Sequence, residues 1–149
     1  MYWCNWEVTQ PTEREITLQD ILEPITTTTS FLRNSEYTPR QSKRPQTNKS
    51  PMLLGYIKNI NSQGCRVYDP QGKSVTISAS TSGIYRINLP DGHHKLKMLT
   101  PIECERLQGL PDNYTAGVSN TQRHRQLGNG WQCDTIQHIF SCNPNLYDN

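Results

Sequence analysis

Leu99-Thr100-Pro101-Ile102-Glu103-Cys104-Glu105-Arg106-Leu107-Gln108-Gly109-Leu110-Pro111 carries a helix start and a helix stop within thirteen residues. Thr100 stands where an N-cap hydroxyl accepts a backbone N–H, and Pro101 takes the first helical position, where no N–H is needed. Glu103, three residues after Thr100, completes a capping box. Leu99 and Cys104 are spaced as a hydrophobic staple, and Gly109 followed by Pro111 ends the helix. The spacing therefore predicts a short, locally specified helix. The same signals recur downstream. Ser119 and Gln122 repeat the capping spacing for a helix that closes at Gly128. Cys133, Ile136, Ile139 and Phe140 then line one face of a last helix, broken by Asn143-Pro144.

Upstream the periodicity changes. Residues 53–57, 65–68, 74–78 and 84–87 read as short strands, and Asp69-Pro70-Gln71-Gly72 is a turn joining two of them. This predicts a small, twisted, turn-rich β unit. Residues 26–52, with four consecutive threonines and Pro39, Pro45 and Pro51, read as an adaptable loop. Thr17 caps a short helix, with Asp20 three residues on and Pro24 as its stop. Residues 2–6 (Tyr-Trp-Cys-Asn-Trp) read as a strand that completes a sheet made elsewhere.

Composition agrees with a chain that shares its core. Of 149 residues only 33% are hydrophobic, and the mean hydropathy is -0.77. A chain this polar has long loops or borrows apolar surface from a partner. The net charge of +2 is uninformative, but its distribution is not. Residues 1–30 carry Glu7, Glu13, Glu15, Asp20 and Glu23 against Arg14. Residues 31–60 carry Arg33, Arg40, Lys43, Arg44, Lys49 and Lys58 against Glu36. The basic segment is either a phosphate-contacting surface or a solvated loop. The five cysteines are widely spaced without a C-x-x-C pair, which points to free thiols in a reducing compartment. Cys133, His138 and Cys142 fall on the last helix but lack the tight ligand pair of a metal site. No stretch has the apolar length of a membrane span.

Residues 97–114, from Lys97 through Thr100, Glu103, Arg106, Gln108, Gly109 and Pro111 to Tyr114, resemble the ninth conserved motif of DNA cytosine-5 methyltransferases. Gln126-Leu127-Gly128-Asn129-Gly130-Trp131 resembles the tenth. Residues 63–77, with Arg66, Gly72, Lys73, Ser74 and Thr76, are similar to the target-recognition region of bacterial and phage members. Residues 2–5 resemble the segment after the eighth motif. The resemblance implies an α+β fragment: a small twisted target-recognition domain, plus a strand and helices that complete a doubly wound α/β methyltransferase domain. On that basis residues 1–23 are the tail of the catalytic-domain sheet and 24–96 the target-recognition domain. Residues 97–117 hold the ninth-motif helix and turn, and 118–149 the tenth-motif helices. Thr100, Glu103, Arg106, Gln108, Gly109 and Pro111 then have a structural role, with Arg106 expected to hold the Glu103 carboxylate. Asn129, Gly130 and Trp131 line one wall of the S-adenosyl-L-methionine pocket, Gly128-Asn129-Gly130 forming a tight turn. Lys73, Ser74 and Thr76, on a short β hairpin, with Arg66 and the basic Lys43, Arg44 and Lys49, contact double-stranded DNA.

Methyl transfer to carbon 5 requires a nucleophile that adds to carbon 6 of a flipped-out cytosine. The family takes it from a Pro-Cys dipeptide, and none of the five cysteines here follows a proline. The family's Glu-Asn-Val motif and glycine-rich donor loop have no counterpart either. The resemblance thus implies a C-terminal half of a split enzyme in a bacterial or phage-infected cytoplasm. It would be inactive until a second chain supplies the catalytic N-terminal half, and the start of the sequence fits a cut after the eighth motif. Two alternatives stand beside it: a non-catalytic regulator that binds DNA or a methyltransferase, and a truncated inactive remnant. Residues 79–85 also look shortened against the family's glycine-rich recognition loop.

If the basic segment lies on phosphates, replacing Lys43, Arg44 and Lys49 together by alanine weakens DNA binding. It also lowers the slope of log affinity against log salt by about 2–3, at roughly 0.9 per phosphate contact. Fluorescence anisotropy across a salt series measures this, and an unchanged slope identifies a solvated loop.

Overall fold

A computed structural model describes residues 4–33, 36–41, 46–57, 63–79 and 82–145. Helix α1 (Pro101–Leu107) forms as the sequence specifies. The Thr100 hydroxyl accepts from the Glu103 N–H at 3.2 Å, and the Glu103 carboxylate accepts from the Thr100 N–H at 2.8 Å. Leu99 and Cys104 are both buried. Gly109 terminates the helix at φ +73°, a conformation that side chains with a Cβ disfavour. Helix α2 (Asn120–Asn129) is capped by Ser119 and helix α3 (Cys133–Ser141) by Gln132. A single 3-10 turn at Leu18–Ile21 replaces the expected helix, with the Asp20 carboxylate accepting from the Thr17 N–H and hydroxyl.

The described strands are β1 (Tyr37–Pro39), β2 (Met52–Ile57), β3 (Arg66–Asp69), β4 (Ile84–Asn88) and β5 (His94–Met98). They form one five-stranded sheet in the order β1-β2-β3-β4-β5. All neighbours are antiparallel except β3 and β4, which run parallel. Alternation along β4 buries both faces of the sheet. Tyr85 and Ile87 pack with Leu18, Leu99, Cys104 and Leu127 on the helical side, while Ile84 packs with Val67 and Leu96 on the other.

Four expectations are corrected. Residues 74–78 are not a strand, because β2 and β4 occupy both edges of β3 and leave no edge for a hairpin partner. The turn at Asp69–Gly72 does form, with the Gly72 N–H donating to the Asp69 carbonyl at 3.2 Å, but it feeds an extended crossing segment. The loop over 26–52 contains β1, an edge strand in which Pro39 is tolerated. Residues 4–6 make no strand: the Trp6 indole instead donates to the Ile139 carbonyl at 3.0 Å. Tyr2 and Trp3 lie outside the described residues. Strand β5 was not expected, since its His-Lys-Leu-Lys-Met sequence looks solvent-facing.

Of the five β5 residues Leu96 and Lys97 are buried, and the lysine is buried because its charge is paired. Its ammonium donates at 2.6 Å to Glu103, and the two side chains are 4% and 0% exposed. Arg106, expected to hold Glu103, instead makes a forked pair with Asp112 at 2.8 and 2.6 Å and donates to the Ile21 carbonyl. The ammonium of Lys97 already occupies the carboxylate oxygen that the guanidinium would need, and Glu23 N–H shares it at 2.9 Å. Removing one member of a buried pair strands the other charge. Glu103→Ala therefore destabilises the chain by about 3–5 kcal/mol in urea unfolding. Adding Lys97→Met to it recovers much of the loss.

Candidate nucleic-acid and cofactor interface

After the Asp69–Gly72 turn the chain crosses from the sheet toward α2. The Lys73 N–H donates to the Ser50 carbonyl at 3.2 Å, and its ammonium donates to the Arg14 and Ile16 carbonyls at 2.6 and 2.8 Å. Ser74 Oγ donates to the Val75 carbonyl at 2.8 Å and lies 3.2 Å from the Tyr85 hydroxyl. Both residues thus spend polar atoms on anchoring the segment. Thr76 is exposed. It shares an open groove of about 470 Å³ with Arg66, Tyr68, Val75, Ser78 and Gly83. Within the groove wall the Arg66 Nε is buried and has no hydrogen-bond partner among the described residues. Lys49 pairs at 3.4 Å with Glu13, both well exposed, an interaction worth little in water. Lys43 and Arg44 lie outside the described residues.

The tenth-motif residues sit differently from expectation. Gly128 and Asn129 form the last turn of α2, and only Gly130 leaves the helix, with extended backbone. No tight turn forms, because a closer partner occupies the Gly128 face. A Cβ built on Gly128 would lie 2.2 Å from the Ser78 carbonyl carbon. The backbone that approaches this glycine is the chain's own crossing segment. Asn129 and Gly130 are exposed, and Trp131 is 66% exposed. A second groove, of about 320 Å³, is lined by Thr76, Leu107, Gln108, Gly128, Gly130 and Gln132. The structure therefore brings Thr76 from the recognition region and Gly130 from the tenth motif to one groove.

Beneath the groove, Gln108 ties the three helices together. Its side-chain amide donates to the Leu127 carbonyl at 2.6 Å, and its own carbonyl accepts from the Cys133 N–H at 2.8 Å. Sequence reasoning missed Glu105, which is fully buried. Its carboxylate accepts from the Asn113 and Thr115 N–H groups at 2.7 and 2.8 Å, from the Thr115 hydroxyl, and from Arg123 at 2.9 Å. These contacts organise the turn that exposes Tyr114. No local pattern distinguishes Glu105 from a surface helix glutamate. Burial alone would raise its pKa, but the Thr115, Arg123 and Asn113 hydrogen bonds hold it below the ordinary carboxylate value. Cys104 is pushed up to about 12, first by burial and then by Glu103 and Glu105. It remains a thiol at neutral pH and cannot act as an attacking thiolate.

The family model for C-5 cytosine-specific DNA methylase matches residues 4–142. This chain belongs to that family. It is 28% identical over 139 residues to the type II methyltransferase M.HhaI of Haemophilus parahaemolyticus, covering 91% of this chain and 42% of that protein. It is 45% identical over 58 residues to the DNA (cytosine-5)-methyltransferase DRM2 of Oryza sativa subsp. japonica, covering 39% of this chain and 10% of that one. The orphan methyltransferase M.SPRI of Bacillus phage SPR is 36% identical over 52 residues, 32% of this chain and 12% of that protein. Among solved structures, the Entamoeba histolytica methyltransferase EhMeth aligns with a TM-score of 0.57 at 16% identity, over 92% of this chain and 43% of that one. The S. pombe Dnmt2 methyltransferase aligns with a TM-score of 0.55 at 15% identity, over 89% and 42%. The chain thus shares the fold of part of these methyltransferases and spans less than half of M.HhaI. Among the described residues, no helix is long and apolar enough to cross a membrane.

Because the folded-state pKa of Glu105 is depressed, its stabilising effect is present above the unfolded value and is lost as pH falls. Asp20 and Asp112 are lowered too, through hydrogen bonds from Thr17 and Arg106. Burial, with the Arg123 charge beside it, also lowers the His124 pKa, so thermal stability begins to decline as pH falls below about 6.5 and declines further through the carboxylate range below about pH 4. Glu105→Gln shallows the decline, as read from melting temperatures across pH.

Proposed function

We propose that this chain supplies the DNA-recognition and tenth-motif portion of a DNA cytosine-5 methyltransferase, and that methyl transfer requires catalytic residues from a second, N-terminal half. The observation that carries this reading is one groove shared by Thr76 and Gly130, in a chain that has no Pro-Cys dipeptide. None of the cysteines follows a proline, and Cys104 is locked as a thiol.

Double-stranded DNA lies against the Arg66–Thr76 groove. The Arg66 guanidinium faces base edges or phosphate and the Thr76 hydroxyl makes a neutral contact. Lys43, Arg44 and Lys49 add phosphate contacts. Lys73, already engaged in anchoring, contributes through its third N–H, and Ser74, whose one hydroxyl proton goes to the Val75 carbonyl, contributes as an acceptor. S-adenosyl-L-methionine, when bound, supplies a methyl group activated on a sulfonium. The exposed Asn129, the Gly130 backbone and the Trp131 indole fit one wall of such a site. The partner supplies the remainder.

Helix α3 is the docking surface for that partner. None of its residues is fully buried, and Phe140 is 47% exposed with the Trp6 ring stacked beside it at 6.4 Å. Burying a large apolar side chain contributes about 1.5–3 kcal/mol. Labelled-methyl incorporation into DNA is expected to be absent for the purified chain alone and restored with the catalytic half. Ile136→Asp with Phe140→Asp abolishes that restoration and weakens association in analytical ultracentrifugation. Methyl transfer by the chain alone overturns the division of roles; unaltered association of the double variant removes α3 as the docking face.

A further inference from the structure

The extended segment over residues 74–79 carries Thr76, yet it belongs to no strand and takes no position from the sheet ladder. Val75 and Ile77 pack on the core cluster, and two further contacts from opposite directions constrain its backbone. From the sheet side, the fully buried Tyr85 reaches out of β4, and its hydroxyl accepts from the Val75 N–H at 3.2 Å while lying 3.2 Å from Ser74 Oγ. From the helix side, Gly128 on the last turn of α2 lies flush against Ser78 and Ala79. A Cβ there would sit 2.2 Å from Ser78 C and 2.4 Å from Ala79 N. These neighbours are backbone atoms, so neither can rotate away, and any side chain at 128 must displace the segment.

We propose that Tyr85 and Gly128 are positioning residues for DNA recognition, holding the 74–79 segment so that Thr76 lies at the mouth of the Arg66 groove. The inference rests on the functional reading above and extends it to residues that touch no DNA. Gly128 also borders Gly130 in the shared groove. A shift of the recognition segment is thus passed directly to the C-terminal end of α2 beside Gly130, and the joint links the DNA side to the cofactor side. Burial raises the Tyr85 pKa, so its hydroxyl keeps its proton at neutral pH.

The test uses the full chain with a short DNA duplex. Tyr85→Phe keeps the ring and removes the hydroxyl, and Gly128→Ala pushes on Ser78. In each, affinity for the duplex by fluorescence anisotropy is expected to fall on the order of tenfold. The salt slope stays as in wild type, because the segment's displaced contact, Thr76, is uncharged. Hydrogen–deuterium exchange is expected to quicken over residues 74–79 and to stay unchanged over α1. Wild-type affinity and exchange in Tyr85→Phe overturn the positioning role. So does a loss accompanied by faster exchange across the whole chain and a flattened salt slope, which marks general destabilisation. If Gly128→Ala does not fold, Tyr85→Phe decides alone. A wild-type chain without salt-sensitive DNA binding overturns the functional reading itself, an outcome separable from failure of the variants.

Discussion

A lysine and a glutamate with almost no solvent access set the terms for the rest of this chain. The Lys97–Glu103 pair joins the last strand of the sheet to the first helix at 2.6 Å. Removing two charges from water costs several kcal/mol per ion unless every remaining lone pair and proton is used. Here they are used. Glu103 also accepts from the Glu23 and Thr100 N–H groups, and the Thr100 hydroxyl donates to Glu23 at 2.5 Å. One carboxylate therefore couples β5, the start of α1 and the segment that follows the 3-10 turn. The hydrophobic cluster around Tyr85, Leu99 and Cys104 can close only where this network puts them.

A second polar network extends the same logic outward. Glu105, one helical position away from Cys104, secures the 113–115 turn and the Arg123 side chain of α2, while Gln108 secures the ends of α2 and α3. Helices this short are marginal in water by themselves. Their relative placement is specified by buried hydrogen bonds more than by apolar area, consistent with a chain in which only a third of residues are hydrophobic. The outcome is a hydrogen-bonded platform on which the crossing segment meets the C-terminal end of α2.

The periphery is held differently. Residues 6–14 run along α3 through Trp6 to the Ile139 carbonyl, His138 Nε2 to the Thr9 carbonyl at 2.8 Å, and Arg14 to Asp134 at 3.0 Å. Exposed contacts of this kind each contribute little. They leave α3 half-covered, with none of its residues fully buried.

Much of this chain was legible residue by residue. Thr100, Pro101, Glu103 and Gly109 determine a helix with defined ends, because capping is a local exchange of hydrogen bonds within four residues. Ser119 and the Cys133–Phe140 face do the same for α2 and α3, and β2, β3 and β4 followed from their apolar runs. What the sequence could not determine is which distant group satisfies each charge. Lys97 reads as a surface residue until Glu103 is folded against it, Arg106 has two carboxylates within local reach, and Glu105 looks exposed. The strand expected over 74–78 failed for the same reason, since edge availability on β3 depends on β4, which joins it in parallel from further along the chain. Gly128 was read as a turn residue open to another molecule; only the tertiary structure revealed that the approaching backbone belongs to Ser78. Capping and periodicity are set by neighbours in sequence, whereas charge pairing, strand order and close backbone approach are set by neighbours in space.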